Sequence, residues 1–204
     1  MSTPDPITTT SSSLPYPKLR DEPFEPEVIS SDLVYKGRVW EVRSDRVAYG
    51  GGEMVREYVA HTGAVAVVAL DDQDRVLLIQ QYRHPIRHRD WELPAGLLDI
   101  PGEDPLLAAQ RELAEEADVT ASHWEHLVSS WTTPGGNDEM IHIYLASGIA
   151  AADAAHERED EEADIRVEWV PLTEAADAVL AGRMRNGILS IGVLATERRL
   201  RERS

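Results

Sequence analysis

The run from Ala64 to Leu70 is seven residues long and wholly apolar. As a strand it has no face to give to water, so it must be covered on both sides. RVLLIQQY follows across the turn sequence DDQD, and the two segments read as buried strands joined by a tight connection. Seven apolar residues fall far short of the roughly 20 that a membrane span needs. With hydrophobic residues at 42% and charged residues at 28% of 204, the chain can build a sizeable core and is not wholesale disordered. That length suits one ordinary domain with a small annex. Lys and Arg number 20 against 37 Asp and Glu, a formal net charge of −17, which excludes a general nucleic-acid or anionic-membrane binder. The absence of cysteine excludes a disulfide framework, thiolate catalysis and Cys-ligated metal. The start, MSTPDPITTTSSS, lacks the basic and apolar regions of a signal peptide, so the plain expectation is a soluble cytoplasmic protein.

Residues 1–28, rich in Ser, Thr, Pro and charge, read as a flexible tail. Residues 29–62 hold β-branched and aromatic residues in partial alternation, broken by Gly50-Gly51-Gly52, the pattern of an antiparallel β-meander with a glycine turn. Residues 63–204 then carry the two apolar strands and a helix expected over Pro105 to Ala117, with Asp104 as N-cap and Pro105 at its first position. HWEHLVSSW and MIHIYLAS read as strands flanking the loop TTPGGNDE. An acidic stretch, a further strand RVEWVPL and two short helices complete the chain. Thr173 is expected to cap the first of these helices and Gly182 to end it, with Asn186 opening the second. No βαβ unit repeats, and the class is mixed α/β.

The chemistry concentrates in RELAEE, Arg111 to Glu116. At 100° per residue Glu112, Glu115 and Glu116 fall within about 100° of arc, opposite Leu106, Leu113, Ala114 and Ala117. Three carboxylates so close stay ionised together only beside cations. Mg²⁺, a hard ion that takes oxygen ligands and often binds one or two carboxylates plus substrate phosphates, suits them.

Reading outward, ELPAGLLDIPGEDPLLAAQRELAEEADV resembles the Nudix box, the signature of hydrolases acting on nucleoside diphosphates linked to another moiety. Glu103, seven residues, Arg111, Glu112, Leu113, Ala114, Glu115, Glu116, Ala117 and Val119 match it. Two features depart from it: one extra residue between Gly96 and Glu103, and Asp118 where the box has Gly. The strand pair, the meander VYKGRVWEVRSDRV and the loop PGGNDE are similar to the ADP-ribose pyrophosphatase subgroup, over roughly Leu33 to Ala181.

That resemblance implies the Nudix fold, an α/β/α sandwich on a mixed sheet, with Mg²⁺ (or Mn²⁺) dependence and hydrolysis of ADP-ribose to AMP and ribose 5-phosphate. It also implies a homodimer in which the meander crosses to the partner's site. By motif position Glu112 and Glu116 would be the main metal ligands, with Glu115 beside them and the Ala95 carbonyl adding a further ligand. Arg111 would hold the carboxylates together, paired with Glu103. Glu139 is the candidate general base and the adjacent Asp138 its rival. Arg56 and Arg83 would suit phosphate, Glu92 a hydroxyl or base edge, and Trp40 a stacked adenine. The acidic run from Glu157 to Asp164 reads as a solvated loop, although the resemblance implies acidic residues near the metals just before the IRV strand. Another nucleotide-sugar or dinucleotide pyrophosphatase, or a catalytically silent nucleotide-binding module, remains an alternative to this reading. The arginines from Arg198 to Arg203 read as favourable helix-end charges.

Overall fold

The computed structural model describes residues 19–152 and 165–203. A three-stranded antiparallel sheet comes first, built from β1 (Val28–Lys36), β2 (Glu41–Tyr49) and β3 (Gly52–Ala60) in that order. The β2–β3 turn is Gly50-Gly51, with φ of 61° and 82°. A two-residue hairpin that matches the strand twist needs positive φ at both positions, which glycine adopts without strain. Before β1, the Ala48 N–H donates to the Glu27 carbonyl at 2.9 Å and Phe24 packs edge-on against Tyr49. The sheet therefore takes hold of the chain from about residue 24, earlier than composition suggests. Residues 1–18 of the expected tail lie outside the described residues.

The remaining elements are β4 (Ala64–Ala69), β5 (Arg75–Arg83), β6 (His88–Glu92), β7 (Ala95–Leu97), α1 (Pro105–Ala117), β8 (Val119–Trp131), β9 (Met140–Ala151), β10 (Arg166–Pro171), α2 (Leu172–Leu180) and α3 (Gly187–Arg203). Strands β4 and β5 are buried as their composition requires, yet they part into different sheets, joined only by a bridge between Leu70 and Val76. One sheet runs β7-β4-β9-β8, with β4 and β9 parallel; the other runs β10-β5-β6 and is antiparallel.

Alternation along β4 sorts the core into two layers. Val65, Val67 and Ala69 pack on one side with Ala108, Ala109 and Leu113 of α1. Ala66, Val68 and Leu70 pack on the other with Ala175 and Ala176 of α2 and Leu189 and Val193 of α3. The result is an α/β/α sandwich on a mixed sheet.

At the C-terminal end, Gly182 at φ 69° follows α2 as expected, and the Asn186 side chain accepts from the Leu189 N–H at 3.0 Å to open α3. Thr173 does not cap α2. The helix starts at Leu172 behind Pro171, without a side-chain cap, because proline already fixes the entering φ. Nor is α3 short: its 17 residues carry Arg198–Glu202 and Arg201–Glu197 pairs one turn apart, while Arg199 reaches Glu125 of β8. The acidic run 157–164 lies outside the described residues. Among the described residues no helix is long and apolar enough to cross a membrane.

Candidate active site

Helix α1 is fixed at both ends by its own sequence. The Asp104 carboxylate accepts from the Leu106 N–H at 2.8 Å, a cap that typically contributes about 1 kcal/mol, and Pro105 supplies the first helical φ. From this helix Arg111 gathers the carboxylates. Its Nη1 lies 2.6 Å from Glu112 and 3.2 Å from Glu115, and its Nη2 lies 3.0 Å from Glu103. Its hydrogen bonds to Glu103, opposed by burial and reinforced by Glu112, hold the guanidinium pKa well above its ordinary value.

Glu116 differs from its helical-wheel expectation. It is only 5% exposed, because its Oε2 accepts the Ala95 N–H at 2.8 Å and so turns inward onto β7. Glu112 lies so close over Gly96 that a Cβ there would overlap its carboxylate. Glycine at this position leaves the Glu112 carboxylate the space it occupies against β7.

The donor set is entirely oxygen, charged and crowded, which fits a hard divalent cation better than a soft one. Among the described residues no three His, Asp or Glu side chains converge as a ready ligand set. Glu112 and Glu115 are instead drawn onto Arg111, and either must turn from it to bind an ion.

Across a cavity of about 550 Å³ stands Glu139. Ala95, Gly96, Arg83, Glu92, Trp40 and His61 also line this cavity. The Thr132 hydroxyl donates to Glu139 Oε2 at 2.6 Å, and His61 Nε2 lies 3.5 Å from Oε1. Asp138, by contrast, turns away to accept the His61 backbone N–H at 2.7 Å and serves the loop. Of the two acidic neighbours, Glu139 is the one in the cavity.

Arg83 and Glu92 meet as a two-bonded pair, Nε to Oε1 at 2.7 Å and Nη2 to Oε2 at 2.6 Å. They line the cavity as one unit, since Glu92 is nearly buried and needs a cation beside it. Trp40 also lines it, stacked on His61 with ring centres 5.7 Å apart. Arg56 is not brought to this cavity. It sits exposed on β3, its guanidinium on the Val55 carbonyl at 2.8 Å.

A family model described as NUDIX domain matches residues 60–189, well over half of the chain. The chain belongs to the Nudix family. An ADP-ribose pyrophosphatase of Mycobacterium tuberculosis (strain ATCC 25618 / H37Rv) is 47% identical over 83% of this chain and 82% of its own length. A methanol dehydrogenase activator of Bacillus methanolicus is 40% identical over 70% of this chain and 77% of its own. The solved structure of an ADP compounds hydrolase superposes with a TM-score of 0.75 at 20% identity, covering 91% of this chain and 99% of that one, and supports the fold.

Both departures from the Nudix box are absorbed locally. Asp118 takes the left-handed conformation, φ 54° and ψ 33°, and its N–H donates to the Ala114 carbonyl at 3.1 Å, so it ends α1 as the glycine would. The extra residue before Glu103 does not prevent that carboxylate from reaching Arg111. His61 and Thr132 were not among the residues singled out from sequence. A signal for His61 was present in His61-Thr62-Gly63, where a histidine can accept from the backbone of a glycine two residues on.

Proposed function

We propose that this Nudix enzyme is a divalent-metal-dependent pyrophosphohydrolase that cleaves ADP-ribose to AMP and ribose 5-phosphate. The observation that carries the reading is Glu139, which shares one cavity with Ala95 and Gly96 of β7, the two residues against which Glu116 and Glu112 of the carboxylate helix lie. The name and extent of the 47% identical relative support the choice of substrate.

In this reading Glu112 and Glu116, with Glu115 and the Ala95 carbonyl, hold Mg²⁺, with Mn²⁺ an acceptable replacement. The bound ion supplies charge neutralisation of the diphosphate and a more acidic water. Glu139 takes the proton from the attacking water as its oxygen bonds to phosphorus and the P–O–P bridge breaks. Arg111 keeps the carboxylates mutually placed. Arg83 faces the diphosphate, Glu92 orients Arg83 and reaches a hydroxyl or base edge, and Trp40 offers a ring for adenine. Arg56, exposed outside its own chain's cavity, serves the site of a second copy in a homodimer built through the meander.

The test is product identification with ADP-ribose and Mg²⁺. AMP and ribose 5-phosphate in equal amounts are expected, and Glu116→Gln is expected to lower turnover by several orders of magnitude. Absence of hydrolysis across a panel of nucleoside diphosphate compounds would leave only a binding module. Undiminished turnover of Glu116→Gln in saturating Mg²⁺ would overturn the metal assignment.

A further inference from the structure

We infer that His61 is a positioning residue for Glu139, an imidazole whose Nε2 the backbone of Gly63 holds beside the carboxylate. The inference rests on the reading of Glu139 as the base and adds the group that orients it. The Gly63 N–H donates to His61 Nδ1 at 3.1 Å. A backbone amide can only donate, so Nδ1 carries no proton there, and the ring hydrogen of the neutral imidazole resides on Nε2. That nitrogen lies 3.5 Å from Glu139 Oε1, while the Thr132 hydroxyl holds Oε2 at 2.6 Å. Thr132 and His61 stand beside different oxygens, the hydroxyl in a hydrogen bond and the imidazole at the longer range of a polar contact that can shorten when substrate binds, and together they limit rotation of the carboxylate.

The surroundings make His61 rigid. Its side chain is 5% exposed and that of Glu139 17%. One ring face stacks on Trp40, and its own backbone N–H is taken by Asp138. The loop that carries Glu139 is also tied to the end of β3, with the Val59 N–H donating to the Gly136 carbonyl at 2.9 Å. Positioned groups of this kind act through geometry, so their loss reads in turnover more than in binding.

The experiment compares three substitutions in the full chain with ADP-ribose and Mg²⁺. His61→Phe keeps a ring against Trp40 but has no donor. His61→Asn keeps a group near the Nδ1 position and cannot reach Glu139. His61→Gln places an amide N–H near the Nε2 position. His61→Phe and His61→Asn are expected to lose about tenfold or more in kcat with KM within about threefold, and His61→Gln to recover most of it. Thermal unfolding of each variant separates this from collapse of the loop, and the Asn and Gln pair carries the comparison if His61→Phe unfolds early.

Adding His61→Asn to Glu139→Gln is expected to cost nothing further, because the first acts through the second. A full additional loss in the double variant would overturn the inference, as would equal kcat for His61→Asn and His61→Gln. If Glu139→Gln alone leaves kcat unchanged, the reading of the base fails instead, and that outcome is distinguishable from the others.

Discussion

The place of the Glu112 carboxylate against β7 depends on what position 96 lacks. A methyl group there would displace the Glu112 carboxylate, but the displaced atoms are the far end of a flexible side chain, so the fold has room to respond. Gly96→Ala is therefore expected to shift the unfolding midpoint by no more than about 3 °C, equivalent to roughly 1 kcal/mol for a chain of this size. Turnover is expected to fall at least about tenfold, since Glu112 can no longer lie where Arg111 and a cation both reach it. A large loss of stability with unchanged kcat would contradict this. Arg111 and the three helix glutamates were legible as a group because a short periodic segment places them, and the spacing alone brings Arg111 to Glu115 one turn on, whereas Glu103 lies before the helix and was placed only by the resemblance. Glu116 was legible as a carboxylate on that helix, but its inward turn was not. That turn depends on a backbone N–H from a strand 21 residues away in sequence. His61 escaped for the same reason: its local turn with Gly63 is short, but its meaning comes from a loop that arrives from the far side of the sheet.

Pairing between β8 and β9 creates a small polar cluster on the sheet. The Ser129 hydroxyl lies 2.8 Å from both His126 Nε2 and His142 Nδ1, and His126 packs edge-on against Tyr144. Burial, with the added presence of His126, pushes the His142 imidazole below its ordinary 6.5. A histidine depressed in the folded state is protonated first in the unfolded chain as pH falls. Its contribution to stability is thus complete above about 6.5 and is lost as pH falls through the lower folded value. His142→Gln is expected to flatten the decline of the unfolding midpoint between pH 7.5 and pH 5.5, and identical slopes for both proteins would refute the assignment. Among the elements, α1 was the most legible because its cap, first proline and periodicity agree with one another. The glycine hairpin was legible for the same local reason. That β4 and β5 separate into two sheets was not, since two adjacent apolar strands read the same whether they pair or part. Thr173 misled because a side chain caps from the non-helical residue before the first turn, and Thr173 already lies within the helix that Leu172 begins.

The N-terminal sheet presents Val28, Ile29, Leu33, Val34, Tyr35 and Val39 exposed, together with the edge of β1. So much apolar surface on one small sheet is the mark of an interaction face. Light scattering is expected to give a mass about twice the 22.7 kDa of the chain. Leu33→Asp is expected to halve that mass and, if Arg56 serves the partner's site, to lower activity with it. A fully active monomer would refute the shared site. At this scale the burial of β4 was legible from the seven-residue run at Ala64, while the layered sandwich came from the resemblance to the Nudix box. The parallel partner of β4 was not legible. It is β9, with Ala64 opposite Ile141, and α1 lies in the sequence between them. That parallel pairing has a kinetic side. Two strands so far apart in the chain meet only after a large loop has closed, a slow step compared with forming a helix. In refolding from denaturant, helical signal should therefore return before hydrolysis does. The carboxylates of α1 will be on their helix early, but the cavity that Glu139 shares with β7 is complete only once β9 has paired with β4.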